Sequence, residues 1–451
     1  MNIEENLEKL LSEWKRVYVE RTRRSKELFE RACRVFPGGV TYTLRFFEPY
    51  PLYITRAKGS RVWDADGNEY VDFWMGHGAH VLGHAPDFVV EAVNEVAKKG
   101  THLGFENPYA IEYAEFLTRV LPGVEMLRFT MSGTEANMYA LRLARAYTKR
   151  SYVVKVEGGW HSGYDALHTY VKLPGGPESA GLPEDYLKYT IAIPFNNLSA
   201  AEASLKRHPV AAVVVEPVLG GGGCIPPEEG YLRGLRQLAD EHGALLIFDE
   251  VITGFRLALG GGQEFFNVKA DIVVYGKVIG GGYPGAGAFG GRAEVMELLD
   301  HLRYPDPRAR AFHGGTFTGN PINAVAGYTL VRYLAEHRSL YECSNALWGW
   351  VRREMDEMCE EHGRVCWATG AGTMTGLHFT RARPRSYAEV RDLRWSKVVE
   401  KALHLYMRIN SVLYMDEKTP HLLPALNQSE EEVKMLVELF KHFLEEITGR
   451  S

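Results

Sequence analysis

Between about residues 76 and 330 one pattern recurs: short apolar runs with no polar alternation inside them, separated by helical or loop segments. The runs are Leu127–Thr130, Tyr152–Val156, Thr190–Ile193, Ala211–Glu216, Leu245–Asp249 and Ile272–Tyr275. A strand without a polar face is covered on both sides, and strands spaced by helices connect in parallel. The pattern predicts an α/β fold built on a mostly parallel sheet. Ligands of such sheets sit just outside the carboxyl ends of the strands, so the residues that close each run are the ones to read for chemistry.

The 451 residues, at roughly 150 per domain, allow three domains or two large ones. Residues 1–75 read as an N-terminal segment. Leu7, Leu10, Leu11, Trp14 and Val17 or Tyr18 recur at helical spacing over 1–35, and Pro37-Gly38-Gly39 breaks the pattern. An extended stretch then leads to a hairpin over 61–73 that turns at Asp66-Gly67. Residues 76–330 form the large domain. Residues 331–451, with helix 321–337 leading in, carry amphipathic helices around short strands at 364–379, which predicts a smaller α+β domain.

Charge excludes several classes of function. Lys+Arg number 52 and Asp+Glu 57, a net charge of −5, without the basic excess of a nucleic-acid or anionic-membrane binder. The longest apolar run, Val210–Val215, stops at Glu216, far short of the roughly 18 residues that span a bilayer. The N-terminus lacks a secretory pattern, so the cytoplasm is the expected location and the sequons at Asn197 and Asn427 are chance matches. Cys33, Cys224, Cys343, Cys359 and Cys366 are odd in number and scattered, which fits neither a disulfide framework nor a zinc ribbon, and no metal site is expected. Glutamine occurs only at 237, 263 and 428, a scarcity typical of heat-adapted chains.

The densest chemistry is in Leu245–Arg256, where an apolar strand ends in Asp249-Glu250. A buried carboxylate needs a permanent partner, or its pKa rises and it becomes neutral. After Ile272–Tyr275 comes Gly276-Lys277 and then three glycines at 280–282. A lysine at a strand end, hemmed by glycines and short of acidic neighbours, has its pKa lowered by desolvation and becomes an amine nucleophile toward carbonyls. Met131-Ser132-Gly133-Thr134-Glu135 reads as a helix start, with Ser132 as N-cap and Glu135 completing a capping box; the same N–H groups and hydroxyls make a phosphate cradle. Gly158-Gly159 frees the backbone ahead of Trp160 and His161, and an aromatic placed there suits a planar ligand. Gly285–Gly290 matches G-x-G-x-x-G, but no strand leads directly into it and no helix opens from it, so it is not read as a nucleotide loop. The glycine runs at 220–223 and 260–262 lack the Lys-Ser/Thr of a triphosphate-binding loop.

Together, Asp249-Glu-Val251-x-Thr-Gly-Phe-Arg256, Gly276-Lys277 and Gly315-Thr316-x-x-Gly-Asn320-Pro321 resemble the class III, fold type I, pyridoxal-phosphate aminotransferases, over nearly the whole chain. Within that family the chain is most similar to the subgroup of glutamate-1-semialdehyde aminomutase and the β-amino-acid and ω-aminotransferases. The resemblance implies pyridoxal 5'-phosphate as cofactor, with Lys277 holding it covalently and shuttling the proton. Asp249 would pair with the ring nitrogen and Trp160 would stack on the ring. Ser132, Gly133 and Thr134 would bind the phosphate, and Val251, His161 and Glu216 would complete the cofactor set. Thr316 would reach the phosphate of a neighbouring subunit, which implies a homodimer with shared sites and small-molecule amine and carbonyl substrates.

Specificity positions depart from the family pattern. Arg45 falls on the aminomutase's carboxylate-binding arginine, but Tyr42 replaces a small serine. A lid survives in outline over 175–183, and Gly221 stands where relatives carry asparagine or glutamate. His421 occupies the region of the arginine that binds 2-oxoglutarate in many transaminases. The aminomutase's acidic residue in the region of His421 is not evident either. The larger aromatic at Tyr42 and that lost acidic group favour transfer of an amino group between a β- or ω-amino compound and a carbonyl acceptor. The aminomutase is the alternative, and an amino-acid racemase a third reading. A regulator with a vestigial site is disfavoured by the presence of Lys277 and Asp249.

Overall fold

A computed structural model describes residues 3–172, 176–396, 398–414 and 419–450. The chain divides into two compact units, one of residues 87–342 with 385–389, the other of 1–86 with 343–384 and 390–451. Residues 1–75, delimited in the sequence as a segment of their own, thus fall in the same unit as most of the C-terminal part.

The larger unit is built on a seven-stranded sheet in the order 126–130, 287–291, 272–276, 245–249, 210–215, 152–156, 190–193. Its last five strands are parallel neighbours, with Val213 opposite Leu246 and Asp249 opposite Val274. Val210–Val215, Leu245–Asp249 and Ile272–Gly276 are buried at every position, as their unbroken apolar sequence predicts. Six strands match the apolar runs. The seventh, Gly287–Gly291, runs antiparallel to both neighbours and overlaps the G-x-G-x-x-G stretch. A side chain at Gly287 would stand 2.4 Å from the Ser132 carbonyl oxygen and one at Gly290 2.7 Å from that of Met126, so close backbone approach accounts for these two glycines. The helix Gly133–Thr148 packs Ala136, Ala140, Leu143 and Ala144 onto this sheet.

The smaller unit joins both chain ends. The hairpin strands Arg61–Asp64 and Glu69–Asp72 pair as expected, and Val412–Leu413 adds to Val71–Asp72 in parallel. A second sheet holds Trp367–Ala371, Met374–His378 and His421–Leu422. The helical pattern over 1–35 is two helices, Ile3–Arg21 and Arg23–Ala32. The break falls at Thr22, whose hydroxyl donates to the Tyr18 carbonyl, and Asp66 from the hairpin turn accepts from the N–H groups of Arg24 and Ser25 at the second helix's start. Leu7, Trp14 and Tyr18 enter one core with Tyr406, Phe440 and Phe443. Cys359 and Cys366, both buried, form a disulfide across seven residues, a single bridge beside three free cysteines and not a framework. Their spacing belongs to no disulfide pattern readable from sequence.

Candidate active site

Asp249 closes its strand with 2% of its surface exposed and is met by donors from three elements. Its Oδ2 accepts from Asn137 Nδ2 and from His161 Nδ1, each at 2.9 Å, and its Oδ1 accepts from the Val251 N–H at 3.1 Å. This is the partnering that a buried carboxylate requires, and it leaves Oδ1 with one donor and room for another. Burial lowers the pKa of His161 despite the pull of Asp249, and its Nδ1–H points at the carboxylate. His161 Nε2 is buried without a hydrogen-bond partner among the described residues. A Cβ on Gly159 would lie 2.7 Å from that nitrogen, which is why glycine precedes Trp160.

Glu216, 3% exposed, accepts from the N–H groups of Trp160 at 2.9 Å and Gly220 at 3.0 Å. Burial and the charge of Asp249 push its carboxyl up to about 8, so it is mostly protonated at neutral pH. Trp160 remains 38% exposed, its indole edge-on to His168, and Gly221 lies against its Cβ.

Lys277 follows its strand in a left-handed conformation, φ 51°, unusual for a side-chain-bearing residue. Burial lowers its pKa, while Asp249 and Glu216 pull upward. The direction is the one the sequence predicts, but the setting differs: the lysine has two acidic neighbours, and desolvation prevails over them. Val251 sets the spacing here, since a Cβ on Gly133 would stand 2.7 Å from Val251 Cγ2 and one on Gly276 3.1 Å from Cγ1.

At the helix start, Ser132 Oγ accepts from the Glu135 N–H, the predicted cap. The capping box is altered, because Glu135 reaches back to the Met131 N–H instead of that of Ser132. The carbonyl of Ser132 takes the Ala136 N–H, so the cap engages neither the Gly133 nor the Thr134 N–H, the donors an anion uses at a helix N-terminus. Thr316 is exposed in a loop held by Tyr139, which donates to the Gly314 carbonyl, and by His313 on the Phe129 carbonyl.

Asn137 was not among the candidates the sequence offers. Its signal is a polar residue on the helix face otherwise made of Ala136, Ala140 and Ala144, four residues after Gly133. Arg45, Tyr42 and His421 belong to the other unit. Arg45 is exposed and donates to Thr41 Oγ1; Tyr42 is exposed beside His77. His421 is 4% exposed, with Nδ1 at 2.7 Å from the Thr419 carbonyl and its ring against Trp74, a packed residue of a short strand. Gly175 of the lid lies outside the described residues, while Glu178 accepts from the N–H groups of Val171 and Lys172.

A buried carboxylate with spare acceptor capacity, a lysine of lowered pKa and two helix N–H groups left by the cap fit the ring nitrogen, carbonyl carbon and phosphate of pyridoxal 5'-phosphate. The model of the family Aminotransferase class-III matches residues 45–444, and the chain belongs to that family. It is therefore a pyridoxal-phosphate-dependent enzyme of the aminotransferase or aminomutase type. A glutamate-1-semialdehyde 2,1-aminomutase of Archaeoglobus fulgidus is 38% identical over 421 residues, 92% of this chain and 98% of that protein. An ω-transaminase of Sphaerobacter thermophilus superposes with a TM-score of 0.86 at 34% identity, covering 94% of this chain and 97% of that one. A β-phenylalanine aminotransferase of Variovorax paradoxus gives 0.86 at 31%, covering 97% of each. None of the described helices is long and apolar enough to cross a membrane.

Proposed function

We propose that the chain is a glutamate-1-semialdehyde 2,1-aminomutase, moving an amino group between neighbouring carbons of one substrate. The observation that carries the reaction class is the buried Asp249 held by Asn137, His161 and the Val251 N–H, beside a lysine of lowered pKa. The choice of substrate rests on relatives such as the Archaeoglobus protein, and it reverses the preference for a transaminase drawn from Tyr42 and His421.

Pyridoxal 5'-phosphate, when bound, supplies the electron sink for breaking a bond at the amine-bearing carbon. Lys277 Nζ, whose ammonium burial disfavours, would take the proton from one carbon and return it to another. Asp249 Oδ1 would hold the ring nitrogen's proton, with Asn137 and His161 aiming that carboxylate. The Gly133 and Thr134 N–H groups and the Ser132 hydroxyl hold the phosphate. Trp160 covers the ring, and Val251, Glu216 and His161 complete its surroundings. Arg45 anchors the substrate carboxylate. Thr316 serves the phosphate of a second subunit in a homodimer; the exposure of its neighbours Phe312, 65%, and Phe317, 51%, supports a covered face there.

A second reading, transfer from a β-amino acid, is supported by the likeness to the β-phenylalanine aminotransferase of Variovorax paradoxus, 31% identical with a TM-score of 0.86. One experiment separates the two. Glutamate semialdehyde given alone, with no added amino acceptor, is isomerised by an aminomutase. No turnover until a keto acid is added, with faster use of β-phenylalanine, would establish the second reading instead.

A further inference from the structure

Lys155 lies in the middle of a parallel strand between two others, with none of its surface exposed. An ammonium in that position is costly unless every donor is used. It has three donors, and three carbonyl oxygens receive them: Gly159 at 3.1 Å, Leu167 at 3.2 Å and Thr169 at 2.6 Å. No ion pair accompanies it among the described residues. Glu178, Glu157 and Asp249 act on it only through their fields; burial draws its pKa down to about 7, and the three carbonyls favour the ammonium against that burial.

All three carbonyls belong to the loop that leaves this strand, carries Trp160 and His161 outward and returns at Thr169. Lys155 therefore binds that loop at its departure, at Gly159, and at its return, at Leu167 and Thr169. Between those points Ser162, next to His161, has φ 135° with a side chain present, and just beyond the return Tyr170 has φ 51°, so the backbone is held against its own preference. A strained loop persists only where its surroundings over-determine it. Lys155 shares this task with other bonds: across the neck the Gly158 N–H donates to the Tyr170 carbonyl at 2.9 Å, and Thr169 Oγ1 donates to the Gly176 carbonyl at 2.8 Å. Nearer the site stand the Trp160 N–H on Glu216, His161 on Asp249 and the Tyr164 N–H on Ser162 Oγ.

We propose that Lys155 is a positioning residue for the reaction at Lys277: its ammonium, spent on three loop carbonyls, fixes where Trp160 and His161 stand, and through His161 the aim of the Asp249 carboxylate. It touches neither cofactor nor substrate. The proposal rests on the cofactor roles given above to Trp160, His161 and Asp249, and its test separates the two.

The measurement is hydrogen exchange in the full-length protein stripped of pyridoxal phosphate, for wild type, Lys155→Met and Lys155→Arg, beside the visible circular dichroism, kcat and KM of the reloaded proteins. In Lys155→Met, amides of residues 157–170 should exchange about tenfold faster while the rest of the sheet is unchanged. The reloaded variant should show an altered cofactor band and kcat lowered about tenfold with KM little moved, and arginine, which keeps the charge and donors, should restore part of both. Unchanged exchange over 157–170 overturns the proposal. So does faster exchange throughout the molecule, which marks a purely structural lysine. If the methionine variant does not fold, Lys155→Gln carries the same comparison, since its amide keeps two donors without the charge. A wild type that binds no pyridoxal phosphate would defeat the functional reading, while the exchange result would still decide whether Lys155 holds the loop.

Discussion

At the scale of single residues, the site turns on one buried carboxylate and the donors gathered around it. Asp249 has three donors and 2% exposure, and hydrogen bonds to a charged group contribute about 1.5–3 kcal/mol each. Asp249→Asn keeps the shape and removes the charge, so kcat should fall on the order of a thousandfold or more with the fold intact by circular dichroism. A loss of only a few-fold would mean that another group holds the ring nitrogen. Glu216 behaves oppositely. Its pKa in the folded protein, about 8, lies above the ordinary carboxyl value of 4.5, so the folded state keeps a proton that the unfolded chain releases. Its contribution is present in full below pH 4.5 and is lost as pH rises to about 8. Relative to Glu216→Gln, cofactor-free wild type should therefore lose melting temperature between pH 5 and 8. The comparison isolates Glu216, since Glu250 and Glu400, each raised by burial to about 7, act in the same direction, and buried His80 and His313, each lowered to about 4, act in the opposite one. Identical slopes would show that Glu216 is ionised throughout. Lys277 and Asp249 were legible in the sequence because each closes an apolar run. Asn137 and Lys155 were not, because an amide on a helix and a lysine within a strand acquire meaning only from the loop and strand end that the fold brings to them.

At the scale of elements, apolar periodicity located six of the seven strands of the large sheet. It missed Gly287–Gly291, because a glycine-rich strand has no β-branched residues to reveal it and is required by the closeness of its neighbours. The helix break at Thr22 was hidden for a similar reason. Its cause is a cap supplied by Asp66, more than forty residues away. The disulfide between Cys359 and Cys366 closes a short loop, and constraining such a loop in the unfolded chain is worth about 2 kcal/mol. A Cys359→Ala/Cys366→Ala protein should melt a few degrees below wild type in scanning calorimetry. Coincident melts would show that the bond adds no stability.

For the whole molecule, the fold and the family were both readable from the strand-end motifs, whereas the substrate was not. The residues proposed for specificity, Arg45 and Tyr42, are exposed, and periodicity places no constraint on them. The proposed homodimer would likewise be made by exposed residues: Phe105, 88% exposed, and Leu302, 82%, join Phe312 and Phe317 as large apolar groups that a partner would cover. Light scattering at assay concentration should give twice the chain mass, and a fully active monomer would remove Thr316 from any shared site. The central claim is that Lys277, among the lysines of this chain, is the one that joins the cofactor. Its most direct test is borohydride reduction of the protein loaded with pyridoxal 5'-phosphate, followed by peptide mass mapping. The account predicts one pyridoxyl group, on the peptide that contains Lys277, and none after Lys277→Ala. A label on another lysine, or covalent capture that survives the substitution, would contradict it.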